Sequence, residues 1–165
     1  MSILDISRKG DSFFYAPAKA REVGAGLAAT YANAQPFPHI QLENFLPEQV
    51  LDTVLREFPK ERNDGVTLFD KGYVGGKAKL QFNPTYLSSG YVKELFYFFN
   101  SEVFLEFVEG LTGIQGLIPD PFFDGAGLHE TSSGGKLGIH ADFRIQRRLA
   151  LQRRVNVLIY LNKNW

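Results

Sequence analysis

Residues 134–162, GGKLGIHADFRIQRRLALQRRVNVLIYLN, decide how the rest of the chain is read. The stretch holds two β-like segments joined by an arginine-rich connection. The first, residues 136–142, ends on His140-Ala141-Asp142. In an extended segment residues i and i+2 point to the same side, so His140 and Asp142 face one way, and an imidazole and a carboxylate can meet one cation. The second, Arg154 to Asn162, reads as a long strand. Val155, Val157, Ile159 and Leu161 form an apolar face, while Asn156, Leu158 and Tyr160 form a mixed face suited to lining a pocket. The bare tripeptide is weakly diagnostic: His140 also reads as a hydrogen-bonded histidine at a strand end, Asp142 as a turn former and Tyr160 as a packed tyrosine with a satisfied hydroxyl. Context sets this instance apart, because a Gly134-Gly135 turn precedes it and a strand follows.

Composition narrows the chemistry. The 165 residues include no cysteine, which excludes disulfides, thiolate metal sites and cysteine nucleophiles. Any metal must therefore use His, Asp or Glu, and an N/O donor set suits a divalent ion such as Fe(II). Lys+Arg and Asp+Glu are both 18, a balance that argues against a nucleic-acid partner held by phosphate neutralisation. Arg147, Arg148, Arg153 and Arg154 accordingly read as a solvated connection with structural ion pairs. No apolar run approaches the roughly 18 residues of a membrane span. The first residues, MSILDISRKGDSFF, carry no apolar signal core, so a cytoplasmic location and no membrane partner are expected. The 15 phenylalanines point to a core or pocket with aromatic walls.

Working outward, residues 1–16 lack a clear period and read as a flexible or docking segment. Ala20, Val23, Leu27, Ala28 and Tyr31 recur at helical spacing from Pro17 to Ala34, although Gly24 and Gly26 weaken that helix. HIQLENF (39–45) alternates like a short strand. Pro47 opens a second helix carrying Val50, Leu51, Val54, Leu55 and Phe58, and Pro59 ends it. Residues 60–90 are polar and glycine-rich, with β-like pieces at VTLF (66–69) and KLQF (79–82). This segment, including Lys71 to Lys77, is a candidate lid. Ser88 or Ser89 caps a helix over 91–100. Ser101 caps another, with Phe104, Phe107, Val108 and Leu111 on one face and Gly113 as terminator. Strand-like segments then follow around 115–118, 122–129, 136–142 and 154–162. Helices first and strands later indicate an α+β fold. The organisation expected is a segment and helix over 1–35 and one domain over 36–165.

Residues 134–165 resemble the 2-oxoglutarate- and Fe(II)-dependent oxygenases of the prolyl-4-hydroxylase type. The glycine turn, Leu137-Gly138-Ile139-His140-Ala141-Asp142, and the run from Arg154 through Tyr160-Leu161-Asn162-Lys163-Asn164-Trp165 carry the resemblance. More loosely, Pro36 to Ile40 and Asn44 to Pro47 resemble the lead-in segment of bacterial members. The resemblance implies N-terminal helices packed on a double-stranded β-helix, or jelly roll, whose C-terminal strands are missing here. It implies His140 and Asp142 as the first two iron ligands and Tyr160 as a donor to the distal carboxylate of 2-oxoglutarate. Leu158 would line the cosubstrate pocket, and His129 and Thr131 are candidates beside it on the preceding strand. The implied reaction is oxidative decarboxylation of 2-oxoglutarate to succinate coupled to hydroxylation of a prolyl, other peptidyl or small-molecule substrate, with ascorbate as a candidate accessory reductant. Asp142 stands where related halogenases carry a small residue, which favours hydroxylation.

The family also uses a third ligand histidine and a basic residue downstream of the Tyr-Leu-Asn strand. The other histidines here, His39 and His129, lie upstream. The expectation is a piece of a longer enzyme, weakly active or inactive as it stands, that forms homo-oligomers through an exposed strand edge. The alternative is a naturally shortened, non-catalytic jelly-roll module for binding or assembly. A cupin-like metal or sugar binder fits less well, since cupins build their site from several histidines and a glutamate at other spacings.

Overall fold

Apolar residues at every third or fourth position, closed by serine, glycine and proline, set the helices. A computed structural model describes residues 1–60, 66–69 and 77–163. Its elements in chain order are β1 (Ser7–Lys9), β2 (Ser12–Phe14), α1 (Pro17–Ala32), α2 (Glu48–Arg56), β3 (Val66–Phe69), β4 (Lys77–Phe82), a 3-10 turn (Pro84–Tyr86), α3 (Gly90–Phe99), α4 (Glu102–Thr112), β5 (Leu128–Lys136), β6 (Ile145–Gln146) and β7 (Leu151–Gln152). The fold is α+β, with small antiparallel sheets ordered β1-β2, β3-β4-β5 and β6-β7. With two or three strands per sheet, no jelly roll is formed among the described residues. No helix among them is long and apolar enough to cross a membrane. The glycine-rich run at 71–76, expected as a lid, lies outside the described residues, as do Asn164 and Trp165.

The chain divides into two compact units, residues 1–58 with 87–122 and residues 59–86 with 123–165. Among the described residues the first unit holds the four helices. Gly24 of α1 and Gly110 of α4 let these two helices pack backbone to backbone. A Cβ on Gly24 would stand 2.2 Å from the Phe107 carbonyl oxygen, and one on Gly110 2.4 Å from that of Arg21. Gly24 therefore permits close approach, which outweighs its cost to helix propensity. Beside this contact Arg21 donates to Glu106 and, at 2.8 Å, to Glu109. The Glu109 carboxylate also accepts the Leu117 N–H at 2.8 Å.

The expected face of α4, Phe104, Phe107, Val108 and Leu111, is buried, as are Val92, Leu95 and Phe98 of α3. Their rings meet edge-on or tilted, with Phe98 and Phe104 centroids 6.3 Å apart. Ser89 caps α3 by accepting the Val92 N–H at 3.1 Å. Ser101 occupies the cap position of α4, but its hydroxyl turns back and donates to the Phe98 carbonyl at 2.6 Å. Gly113 ends α4 in the left-handed region at φ 73°.

Two readings of the N-terminal third are corrected. Residues 1–16 are not a flexible segment: Leu4, Ile6 and Phe13 are buried, and β1 and β2 form a hairpin. Residues 39–45 form no strand. Instead the Ile3 and Leu4 N–H groups donate to the Asn44 and Phe45 carbonyls at 2.9 Å each, so the two segments satisfy one another.

In the second unit Phe82 pairs with both Val66 and Leu128, Gln81 with His129 and Lys79 with Thr131. The β4–β5 register then slips between Lys79 and Lys77, which pairs with Lys136. Leu80, Phe82, Phe123 and Leu128 are buried. Gly127, at φ +145°, lies so close to β4 that a Cβ would meet the Phe82 carbonyl oxygen at 2.3 Å. The other strand expectations are corrected: 115–118, 122–127, 137–142 and 154–162 are not strands. The last of these forms no ladder, and Val157, Leu158 and Tyr160 are exposed. Alternation tells which face a strand would present, but a strand exists only where a neighbour fills its backbone hydrogen bonds, and none does so here among the described residues.

Candidate metal-ligand pair at His140 and Asp142

The pair is held in place by the β6–β7 hairpin. Ile145 pairs with Gln152 and Gln146 with Leu151. Gln146 is buried; its amide donates to Asp124 at 2.8 Å and accepts the Leu149 N–H at 2.8 Å, which pins the turn. The chain leaving the hairpin returns beside the segment that entered it, and the Arg153 N–H donates to the Arg144 carbonyl at 2.9 Å. Arg153 thus comes back next to Asp142.

His140 lies in a non-strand stretch, yet its side chain still converges with that of Asp142. Its Nδ1 is 2.7 Å from the Gly138 carbonyl oxygen. A carbonyl can only accept, so Nδ1 carries a proton, and in the tautomer this selects the lone pair is at Nε2. That Nε2 lies 3.6 Å from Asp142 Oδ1, and the two side chains are 44% and 42% exposed. The other carboxylate oxygen is held from the opposite side. Asn156 Nδ2 donates to Oδ2 at 3.1 Å, and Arg153 Nη2 lies 3.3 Å from it. Arg153 also donates to Asn156 Oδ1 at 2.9 Å, and its guanidinium lies 4.8 Å over the Phe143 ring. Gly125 (φ +77°) leaves room for that ring, because a Cβ there would meet Phe143 Cε1 at 2.9 Å.

An imidazole whose proton is committed to a backbone carbonyl, facing one free carboxylate oxygen, fits two ligands of a divalent cation. Among the described residues no group of three or more His, Asp or Glu side chains surrounds such a point. His39 belongs to the first unit, where its Nδ1 is 2.8 Å from the Phe37 carbonyl oxygen.

The remaining candidates are not gathered here. Leu158 and Tyr160 are 65% and 61% exposed. His129 and Thr131 sit on β5 opposite Gln81 and Lys79, and among the described residues no hydrogen bond or ion pair links them to His140 or Asp142. Shielding of the His129 ring, and secondarily the Lys79 ammonium, hold its pKa below the usual 6.5. The residues that sequence reasoning missed are Arg153, Asn156 and Phe143. Asn156 carried a signal, since it was placed on the pocket-facing side of its segment. Arg153 carried none beyond a cluster of like residues. No family model, no curated protein and no solved structure matches the chain.

Proposed function

We propose that the chain is part of an Fe(II)- and 2-oxoglutarate-dependent hydroxylase domain of the prolyl-4-hydroxylase type, acting on a prolyl, other peptidyl or small-molecule substrate. One observation carries this reading: His140 Nε2 and Asp142 Oδ1 converge at 3.6 Å while their other polar atoms are engaged elsewhere. In this reading His140 binds iron through Nε2, with the Gly138 carbonyl holding its tautomer, and Asp142 binds through Oδ1. Tyr160 donates to the cosubstrate carboxylate and Leu158 packs against it, which requires residues 154–162 to form a strand of a jelly roll. The bound iron and 2-oxoglutarate supply the oxidative chemistry, while the chain's residues orient them and exclude water.

The test is binding of Fe(II) and 2-oxoglutarate by calorimetry under anaerobic conditions, with His140→Ala as the comparison. Binding that depends on His140 is expected. Equal binding by wild type and His140→Ala would sink the assignment.

A second reading, a non-catalytic jelly-roll module for binding or assembly, is favoured by the apolar side chains left exposed between 137 and 160. Leu137, Ile139, Phe143, Ile145, Val157 and Leu158 are among them. It predicts self-association through this segment. Light scattering that finds a monomer at all concentrations would argue strongly against it.

A further inference from the structure

We infer that Arg153 and Asn156 are positioning residues that turn Asp142 into a one-oxygen ligand. The inference rests on the proposed metal site and says how its carboxylate is controlled. A free carboxylate rotates and can offer either oxygen, or both, to a cation. Here Oδ2 faces two donors, Asn156 Nδ2 at 3.1 Å and Arg153 Nη2 at 3.3 Å, so Oδ1 alone faces His140. The donors are themselves coupled by the 2.9 Å bond from Arg153 to Asn156 Oδ1, which fixes the amide with its NH2 toward the carboxylate.

Three further contacts limit the motion of Arg153. Its backbone N–H is tied to Arg144, its guanidinium lies over Phe143, and Gly125 provides the floor beneath that ring. His140 is fixed independently through Gly138. Both candidate ligands therefore have one atom anchored and one aimed at the same point. Such outer contacts set ligand orientation, and losing one typically weakens metal binding by roughly 10- to 100-fold.

Cobalt(II) serves as the probe, since its absorption spectrum responds to coordination number. Wild type, Asn156→Ala, Arg153→Ala, Arg153→Lys and Arg154→Ala are titrated with cobalt(II) by calorimetry and absorption, and thermal melting checks the fold of each. Arg153→Ala and Arg154→Ala change net charge equally, but only Arg153 touches Asp142. The expected result is about 10- to 100-fold weaker binding for Asn156→Ala and Arg153→Ala. The cobalt spectrum in those two variants shifts as Oδ2, left with one of its two donors, turns toward the metal. Arg153→Lys recovers part of the affinity, and Arg154→Ala binds as wild type does. The two anchors are separate substitutions, so one that fails to fold leaves the other to decide.

Equal affinity and spectra across all variants, or equal weakening by Arg154→Ala, would overturn the anchoring while the metal site stands. Failure of the wild-type chain to bind cobalt(II) would overturn both.

Discussion

The two units of this chain are built on different kinds of information. In the first, contacts between neighbouring turns of helix and between adjacent helices bury the periodic apolar face of α4 together with Ala20 of α1 and Val50 and Val54 of α2, and half-bury Val23, Leu27 and Leu51. In the second, β4 and β5 are separated by 45 residues of chain, and among the described residues the apolar alternation at 154–162 goes unpaired. The contrast teaches that a periodic pattern states a preference for a face, while the partner that uses the face must be supplied from elsewhere in the chain. Helices meet most of that demand within themselves; strands cannot.

The largest expected effect compares one side chain from each unit. Phe104→Ala removes a buried ring that packs against Phe98, Phe99 and Phe107 and should cost about 3–5 kcal/mol of stability. Leu158→Ala removes an exposed side chain and should stay within about 0.5 kcal/mol. Urea unfolding of both variants measures the difference. A loss at Leu158 comparable to that at Phe104 would mean that residues 154–162 are packed in solution, and the contrast between the units would break.

A smaller pair of effects, opposite in sign to each other, tests the helix contact in the first unit. Gly24→Ala forces a methyl group to within 2.2 Å of the Phe107 carbonyl oxygen, so α1 and α4 must separate, at a cost of about 1–3 kcal/mol. Gly26 sits two residues on in the same helix, where a Cβ meets nothing within 4 Å. Gly26→Ala should therefore raise stability by roughly 0.5–1 kcal/mol through helix propensity alone. Two stabilising substitutions, read by thermal melting, would show that the α1–α4 approach is looser than described.

These pairs also explain what was legible beforehand. The helices at 17–32, 48–56, 90–99 and 102–112 were readable because apolar period, proline or serine at the start and, in two of them, Pro59 or Gly113 at the end are all local. Gly24 and Gly110 were not, since the value of a missing Cβ depends on a helix some 85 residues away, and locally a glycine only weakens a helix. The N-terminal hairpin was missed because Arg8, Lys9, Gly10 and Asp11 mask the burial of Ile6 and Phe13 on either side. At the candidate site, the convergence of His140 and Asp142 was read from an i, i+2 rule for strands, yet it arises without a strand. The Gly138 carbonyl on one side and the Arg153–Asn156 pair on the other do the aligning. Arg153 was unreadable because only the return of the β6–β7 hairpin brings it to Asp142.

The smallest effect separates the units by acid. In the second unit the His129 pKa lies below its ordinary 6.5, so the folded state binds its proton less readily than the unfolded state does. Stability from this group is complete above about 6.5 and falls away as the pH drops through the lowered folded value. In the first unit the Glu109 carboxyl is held below its usual 4.5, first by the Leu117 N–H and then by Arg21. Its contribution is complete above about 4.5 and is lost only as the pH falls through its own lowered value. Both groups destabilise the fold on acidification, but in separate windows. Hydrogen exchange followed from pH 7 downward should therefore show amides of β4 and β5 opening before those of α1 and α4, and His129→Gln should remove the early step while leaving the late one in place. Simultaneous opening of both sets, unchanged by His129→Gln, would mean that the two units respond to acid as one.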